Sequence, residues 1–339
     1  MKNRVIKLCF LAIILVSVAG SADAQAKRSA KKRTTAKKTN IKKNAGNAVA
    51  TIAKDTIKPA PLPEPELNLG VIKKSLRNDD AVERNLVKER TPLAYEHIRE
   101  DDAVYRQRLW REIDVHEKMN LPVVYKADGD NGNQRFIIIL LNAIKSGEVT
   151  AFSSMDDRFT TPITLKEITE QLIGKPHTIQ VPDYAKDPDG SKNITRDSLV
   201  TDEFDPNAVE KYWIKEDVIF DKESSRLHTR ILGIAPLKTI READGSYRDV
   251  TPIFWVYYPD LRPMLAKFEA YNGKNFGARL SWEEMFESRM FASRIIKSTV
   301  ENPNDLFIQN YIKDPILRLL EGDNIKEKIF NYEQDLWSY

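Results

Sequence analysis

The segment between residues 209 and 258 restricts the possible folds more than any other part of the chain. Its first half alternates, with one parity apolar and the other charged: Tyr212, Ile214, Val218 and Phe220 against Lys211, Lys215 and Asp217. This period of two predicts a half-buried strand. A polar turn at 221–225, a strand-like stretch at 227–236 and an apolar run at 253–258 follow. We therefore predict an antiparallel meander of three strands.

Helical patterns precede and follow this meander. Residues 136–144 are apolar almost all round and lead to Gly147, which indicates a buried helix with a glycine C-cap. Thr164 begins a capping box, and so does Ser281. Helices segregated from an antiparallel sheet give an α+β fold, with its core predicted at residues 134–339.

The last part of the chain predicts two helices. Asp314 can cap a helix that has Pro315 at its first position, and Gly322 is expected to end it. A terminal helix would then begin at Asn324.

The region before the core is also predicted to be helical, over residues 71–127. Asp101 and Asp102 suit the negatively charged first turn of a helix. Residues at helical spacing follow them, namely Tyr105, Leu109, Ile113 and His116.

The first 24 residues have the pattern of a cleavable secretory signal peptide. Lys2, Arg4 and Lys7 precede an apolar run at 8–18, and small residues then lead to Ala24, so that Gln25 would be the first mature residue. An N-terminal membrane anchor is the alternative, but the apolar run is short for a membrane span. The only cysteine, Cys9, lies inside the run. The mature chain would therefore lack disulfides and thiolate chemistry.

Charge divides the exported chain into a basic tail and an acidic body. Residues 26–58 contain eleven Lys or Arg and one acid; since the whole chain is +3 and residues 1–58 account for +12, the remainder carries −9. The tail has few large apolar residues, and prolines follow it at 59–65, so residues 25–70 are expected to be a disordered linker. It is either a solvated leader or an attachment to an anionic surface, through Lys27, Arg28, Lys31, Lys32 and Arg33. Nucleic acid is a poor candidate partner for an exported protein.

Patterns for catalysis or metal binding are weak. The four histidines have no metal-binding spacing, and His116-Glu117 begins a zinc-protease pattern that fails at Asn120. We therefore expect no catalytic residues, no metal and no cofactor. Trp213 is the one aromatic residue singled out as a possible partner contact, although packing in the core is its default role.

Three long blocks resemble the GldN/PorN family, whose members belong to the type IX secretion and gliding-motility machinery. They are WIKEDVIFD at 213–221, RILGIAP at 230–236 and FWVYYP at 254–259. Shorter blocks at 111–114, 159–162 and 333–337 agree with them, so that the resemblance extends over about 101–339.

The resemblance implies a non-enzymatic protein of the periplasm, at the inner face of the outer membrane. Family members assemble into a ring with an outer-membrane lipoprotein of the GldK/PorK type and contact the GldM/PorM motor protein. Membrane association would then be indirect, through the lipoprotein. The alternative from the residues alone is a peptidoglycan-binding or cell-wall-associated protein, which the basic tail favours. A periplasmic enzyme comes third and would need titratable groups that converge in a pocket.

Overall fold

The structure is a computed structural model that describes 67–70, 73, 75–77, 81, 90–126, 128–129, 132–175, 177–182, 195–200, 202–242, 244, 246–273 and 279–337. The predicted signal peptide, its cleavage site at Ala24 and Gln25, and the basic tail lie outside the described residues.

Strands and helices both occur throughout the described part of the chain. The strands are β1 Ala103–Asp114, β2 Asp128–Gly129, β3 Gly132–Asn133, β4 Ala151–Ser153, β5 His177–Pro182, β6 Thr195–Val200, β7 Val209–Asp221, β8 Arg226–Arg241, β9 Tyr247–Pro252, β10 Phe254–Tyr257, β11 Glu269–Ala270, β12 Leu280–Ser281 and β13 Arg294–Ser298. The helices are α1 Phe136–Ser146, α2 Leu165–Ile173, α3 Tyr258–Leu265, α4 Trp282–Glu287, α5 Ile308–Tyr311 and α6 Pro315–Trp337. Two 3-10 helices cover Lys118–Val124 and Pro206–Ala208.

A seven-stranded sheet organises the fold. Its order is β13-β1-β7-β8-β10-β4, with β9 paired to β8, and these pairings are antiparallel. The predicted meander corresponds to β7, β8 and the two strands that follow them. The α+β class and the meander are therefore confirmed, within a sheet wider than three strands.

The helix predicted after Asp101 is wrong, because residues 103–114 form strand β1 between β13 and β7. Arg99, rather than an aspartate cap, organises the preceding turn by accepting hydrogen bonds from the amides of Asp102 and Ala103, each at 3.2 Å. The predicted helical segment thus supplies a strand of the main sheet and a 3-10 helix.

Several predicted helix ends are confirmed. Helix α1 stops at Gly147 with a left-handed φ of 76°. Both capping boxes are present, at Thr164 for α2 and Ser281 for α4. Asp314 Oδ1 accepts the amide of Ile316 at 2.8 Å and so caps α6. Gly322, however, does not end that helix, which continues to Trp337.

The first face of the sheet carries most of the apolar core. Phe136 of α1 packs on Tyr212 of β7 and on Trp282 and Phe286 of α4, with ring centroids 4.8–5.3 Å apart. A second cluster on this face joins Leu109 to Ile325 and Ile329 of α6. Burial of each such large side chain contributes about 1.5–3 kcal/mol, so these contacts hold the helices on the sheet.

A buried ion pair also lies on this first face. Glu216 is fully buried and is paired with Arg111 of β1 and with Arg289, whose Nη2 lies 2.8 Å from its Oε2. A carboxylate without partners would be strongly destabilising at such a position.

The second face is buried more fully than the alternation predicted. Trp110, Ala235 and Trp255 form a further cluster there, with Phe159 packed against it. Lys215 and Asp217, which the sequence predicted to be on an exposed side, are both 3% exposed. The prediction of a half-buried strand is therefore wrong for the centre of β7, because side chains cover both faces.

Candidate interaction surface

Trp213 lies on the second face of the sheet, near the start of α6. Its side chain is half-buried, and its ring packs on Phe307 with centroids 5.5 Å apart. Its indole N–H donates a hydrogen bond of 3.3 Å to Glu112 Oε2. The indole is therefore held in one orientation by neighbours from β1 and from the segment before α5.

Glu112 is the anionic centre of this region. It is buried, and its Oε1 pairs with Lys211 Nζ at 3.0 Å and with the guanidinium of Arg294. A cavity of about 90 Å³ lies beside this cluster, with Trp213, Pro315, Arg318 and Leu319 among its lining residues. The first turns of α6 thus lie beside this group of charged side chains at the edge of the sheet.

Helix α6 crosses the edge strand β13. Its first turns lie near Trp213, whereas Ile325 and Ile329 pack beside Leu109 on the other face. Tyr332 stacks on Tyr105 with ring centroids 4.0 Å apart and fixes the far end of the helix.

Four apolar side chains in the first turns of α6 are exposed to solvent. Ile316, Leu317, Leu319 and Leu320 are exposed by 68%, 52%, 51% and 53%. We call these four residues the apolar ridge. Exposed Tyr311 and Phe330 lie before and after it along the chain. Such exposed apolar side chains make this part of α6 a candidate interaction surface.

A row of alternating cations and aromatic rings crosses the second face. Lys297 Nζ lies 4.2 Å from the Trp110 ring centroid, and Lys215 Nζ lies 5.8 Å from it. Lys215 donates to the backbone oxygen of Asp157 at 2.7 Å, and Trp110 donates to the Asp157 carboxylate at 2.7 Å. Burial lowers the pKa of Lys215, against the raising effect of Asp157. These contacts pin the segment that follows β4 onto the sheet.

A cleft of about 1060 Å³ is lined in part by residues 90–96. The ring of Tyr95 lies between the guanidinium groups of Arg230 and Arg262, 4.0 and 3.9 Å from the ring centroid. The Tyr95 hydroxyl donates to Glu287 at 2.5 Å, and Arg262 donates to the backbone oxygen of Leu93 at 2.7 Å. Burial, followed by the contact with Glu287, raises the pKa of Tyr95. Part of the wall of the cleft is therefore a segment of the chain that Arg230, Arg262 and Glu287 hold in place.

The described side chains that could bind a metal or take part in catalysis do not converge on one site. Within the described ranges, no group of three or more His, Cys, Asp or Glu could hold a metal ion. Asp114 accepts a hydrogen bond from the amide of His116 at 2.9 Å, and His228 Nε2 lies 3.1 Å from Ser224 Oγ. Among the helices of the described part, none is long and apolar enough to cross a membrane.

One protein family accounts for most of the chain. The model for "Gliding motility associated protein GldN" matches residues 98–338. This chain belongs to the GldN family. A search of curated proteins finds no match.

The GldN region takes in the whole seven-stranded sheet and the apolar ridge. Residues 90–96, which line the cleft, come just before the matched region. The resemblance inferred from the sequence blocks is therefore confirmed, and the protein is associated with gliding motility.

In this GldN protein, the residue singled out by the sequence, Trp213, lies near the start of the helix that carries the apolar ridge. Trp213 as a partner contact stays a prediction, because its half-buried ring supports α6. The tail residues from Lys27 to Arg33 lie outside the described residues. Sequence reasoning missed the apolar ridge, although the run Ile-Leu-Arg-Leu-Leu at 316–320 was a visible signal.

Proposed function

We propose that the chain is a non-enzymatic, periplasmic subunit of the type IX secretion and gliding-motility machinery. It acts at the inner face of the outer membrane, where it forms a ring with a lipoprotein of the GldK/PorK type and contacts the GldM/PorM motor. The observation that carries the proposal is the GldN match over residues 98–338. The signal-peptide pattern supports export, and the exposed apolar ridge supports a role in assembly.

The test is crosslinking of intact cells that make the chain, followed by capture through a tag after Tyr339 and mass spectrometry. We expect an outer-membrane lipoprotein and a motor-type inner-membrane protein among the captured proteins. A matched control carries the same tag but lacks residues 1–24, so that it stays inside the cell and should recover neither protein. Recovery of no lipoprotein by the exported chain would overturn the proposal.

The basic tail favours a second candidate, binding to the cell wall. Residues 26–58 carry a net charge of +10, and peptidoglycan carries carboxylates. Such binding would be electrostatic and therefore sensitive to salt. Binding of the tail to the cell wall is compatible with a role as a ring subunit. Capture of the lipoprotein by a chain whose tail is deleted would show that the ring contact does not depend on cell-wall binding.

A further inference from the structure

The centre of the apolar ridge and the buried side of α6 lie on opposite sides of one helix. At 100° per residue, Ile316 and Leu320 point away from the direction of Ile325 and Ile329, which pack on the sheet. Leu317 and Leu319 lie on the two flanks, and Leu319 also lines the cavity beside Trp213. The first turns of α6 are therefore apolar on the side that no described part of this chain covers, although the helix is already anchored by its other side.

The exposed area of the ridge suits the apolar centre of an interface. The four ridge residues expose on the order of 400 Å² of apolar side chain, which reaches the largest patch of a typical monomer. This is about half of the roughly 800 Å² that each partner buries in a standard interface.

The charges along the ridge are self-complementary. Exposed Lys313 precedes α6, and exposed Asp323 follows the ridge. In a parallel pair of such helices, Lys313 would lie beside Lys313 of the other copy and Asp323 beside Asp323, so that like charges repel. An antiparallel pair instead brings Lys313 of one copy beside Asp323 of the other. Asp323 also contacts Lys326, at 2.8 Å, but such an exposed pair contributes little.

We propose that the apolar ridge binds the apolar ridge of a second copy of this chain. The two α6 helices lie antiparallel about a twofold axis at the level of residue 318, which sets Ile316 of one copy opposite Leu320 of the other. The two Leu317 side chains then lie together on one flank and the two Leu319 side chains on the other, and both ends are closed by a Lys–Asp pair.

This inference deepens the proposed function and rests on it for its place in the cell, since it identifies one contact by which ring subunits associate. A twofold contact joins subunits in pairs, so a ring built from them needs a second, different contact between pairs. The pairing itself is tested on the purified chain, and the two proposals can therefore fail separately.

Engineered cysteines test the geometry. The mature chain, residues 25–339, contains no cysteine because Cys9 is the only one. We expect a mixture of the I316C and L320C variants to form a disulfide-linked dimer several-fold faster than either variant alone. Equal rates in all three samples would contradict the antiparallel register.

Sedimentation of the full mature chain tests the energetics. We expect Leu320→Glu to weaken dimerisation by about tenfold or more, because it buries a charge in an apolar contact. Leu121→Glu is the matched control, since Leu121 is 49% exposed but lies on a 3-10 helix, and it should leave dimerisation unchanged.

A charge exchange completes the test. Lys313→Glu and Asp323→Lys should each weaken the dimer, and the double variant should restore it. A wild-type chain that stays monomeric at all concentrations would overturn the pairing, as would failure of the double variant to restore it. Crosslinking of the ridge to a different protein alone would assign the surface to that protein instead. Capture of the lipoprotein by a monomeric chain would leave the ring proposal standing.

Discussion

Asp217 is a buried carboxylate whose ionisation links the stability of the fold to pH. Arg106 Nη2 and Arg108 Nε donate to its two oxygens at 2.6 and 2.7 Å from strand β1. Burial alone raises the pKa of Asp217, but the hydrogen bonds from Arg108 and Arg106 lower it overall. The charged form is therefore favoured in the folded state. Its contribution is present above the unfolded pKa of about 3.9 and is lost as pH falls through the lower, folded value.

We expect Asp217→Asn to reduce the free energy of unfolding by about 2 kcal/mol at pH 7, because hydrogen bonds to a charged group are replaced by neutral ones. The difference from wild type should shrink as the pH falls below the folded pKa, where wild-type Asp217 is also neutral. Urea unfolding at a series of pH values measures this. Asp202→Asn at an exposed site is the control. A loss that is independent of pH would contradict the role given to the charge.

Gly233 is required by close packing. A Cβ atom there would lie 2.5 Å from Phe159 Cζ and 3.2 Å from the backbone oxygen of Val256. Phe159 itself has a φ of 57°, which bulky residues rarely adopt. The segment that carries Phe159 therefore presses directly on β8.

We expect Gly233→Ala to destabilise the fold by about 1–3 kcal/mol, as overpacking usually does. The cost should be clearly smaller in a Phe159→Ala background, where the ring is absent. Chemical unfolding of the four chains in this double-mutant cycle gives the coupling between the two sites. Additive effects would show that Phe159 does not limit the space at Gly233.

Strand β1 was the element that sequence periodicity could not assign. Tyr105, Leu109 and Ile113 are four residues apart, a spacing that fits one face of a helix and also one face of a strand. Both faces of the sheet are covered at this point, so Trp110 is buried beside Leu109 and the simple alternation disappears. The capped helices α1, α2 and α4 were predictable because their end signals are local, whereas β1 pairs with residues of β7 and β13 that lie far away in the sequence.

Gly322 lies where the C-terminal region could be either two helices or one continuous helix. The sequence predicted a helix end there, whereas the structure has one continuous helix. An added Cβ would have Ile295 O as its nearest neighbour at 3.5 Å, an ordinary contact. Glycine therefore weakens the helix at this point without being needed for space.

We expect Gly322→Ala to increase the free energy of unfolding by about 0.5–1 kcal/mol, the usual gain inside a helix. Thermal or urea unfolding measures it, with Gly147→Ala as the control, which should be destabilising because Gly147 has a φ of 76°. A destabilising Gly322→Ala would support two helices with a break at this glycine.

At the scale of the whole molecule, sequence blocks gave the family, and periodicity gave the meander and the α+β class. The candidate interaction surface was not predictable in the same way. The run at 316–320 is apolar except for Arg318, and the contact of α6 with β13 decides which side is covered. The charge asymmetry, by contrast, can be read directly from the residues.

The basic tail makes the whole-chain prediction about the cell wall. We expect the mature chain to bind isolated peptidoglycan sacculi at low ionic strength and to be released by high salt. Deletion of residues 26–58 should abolish this binding, and a neutral replacement of equal length should behave like the deletion. A pull-down of sacculi measures it, and binding that persists after the deletion would exclude the tail as its cause.

Electron microscopy of the assembly, extracted from membranes of cells that make the tagged, exported chain, tests directly whether the chain is a ring subunit. We expect large closed rings that contain this chain together with an outer-membrane lipoprotein. A chain recovered only as free monomers or small oligomers, without the lipoprotein, would contradict it.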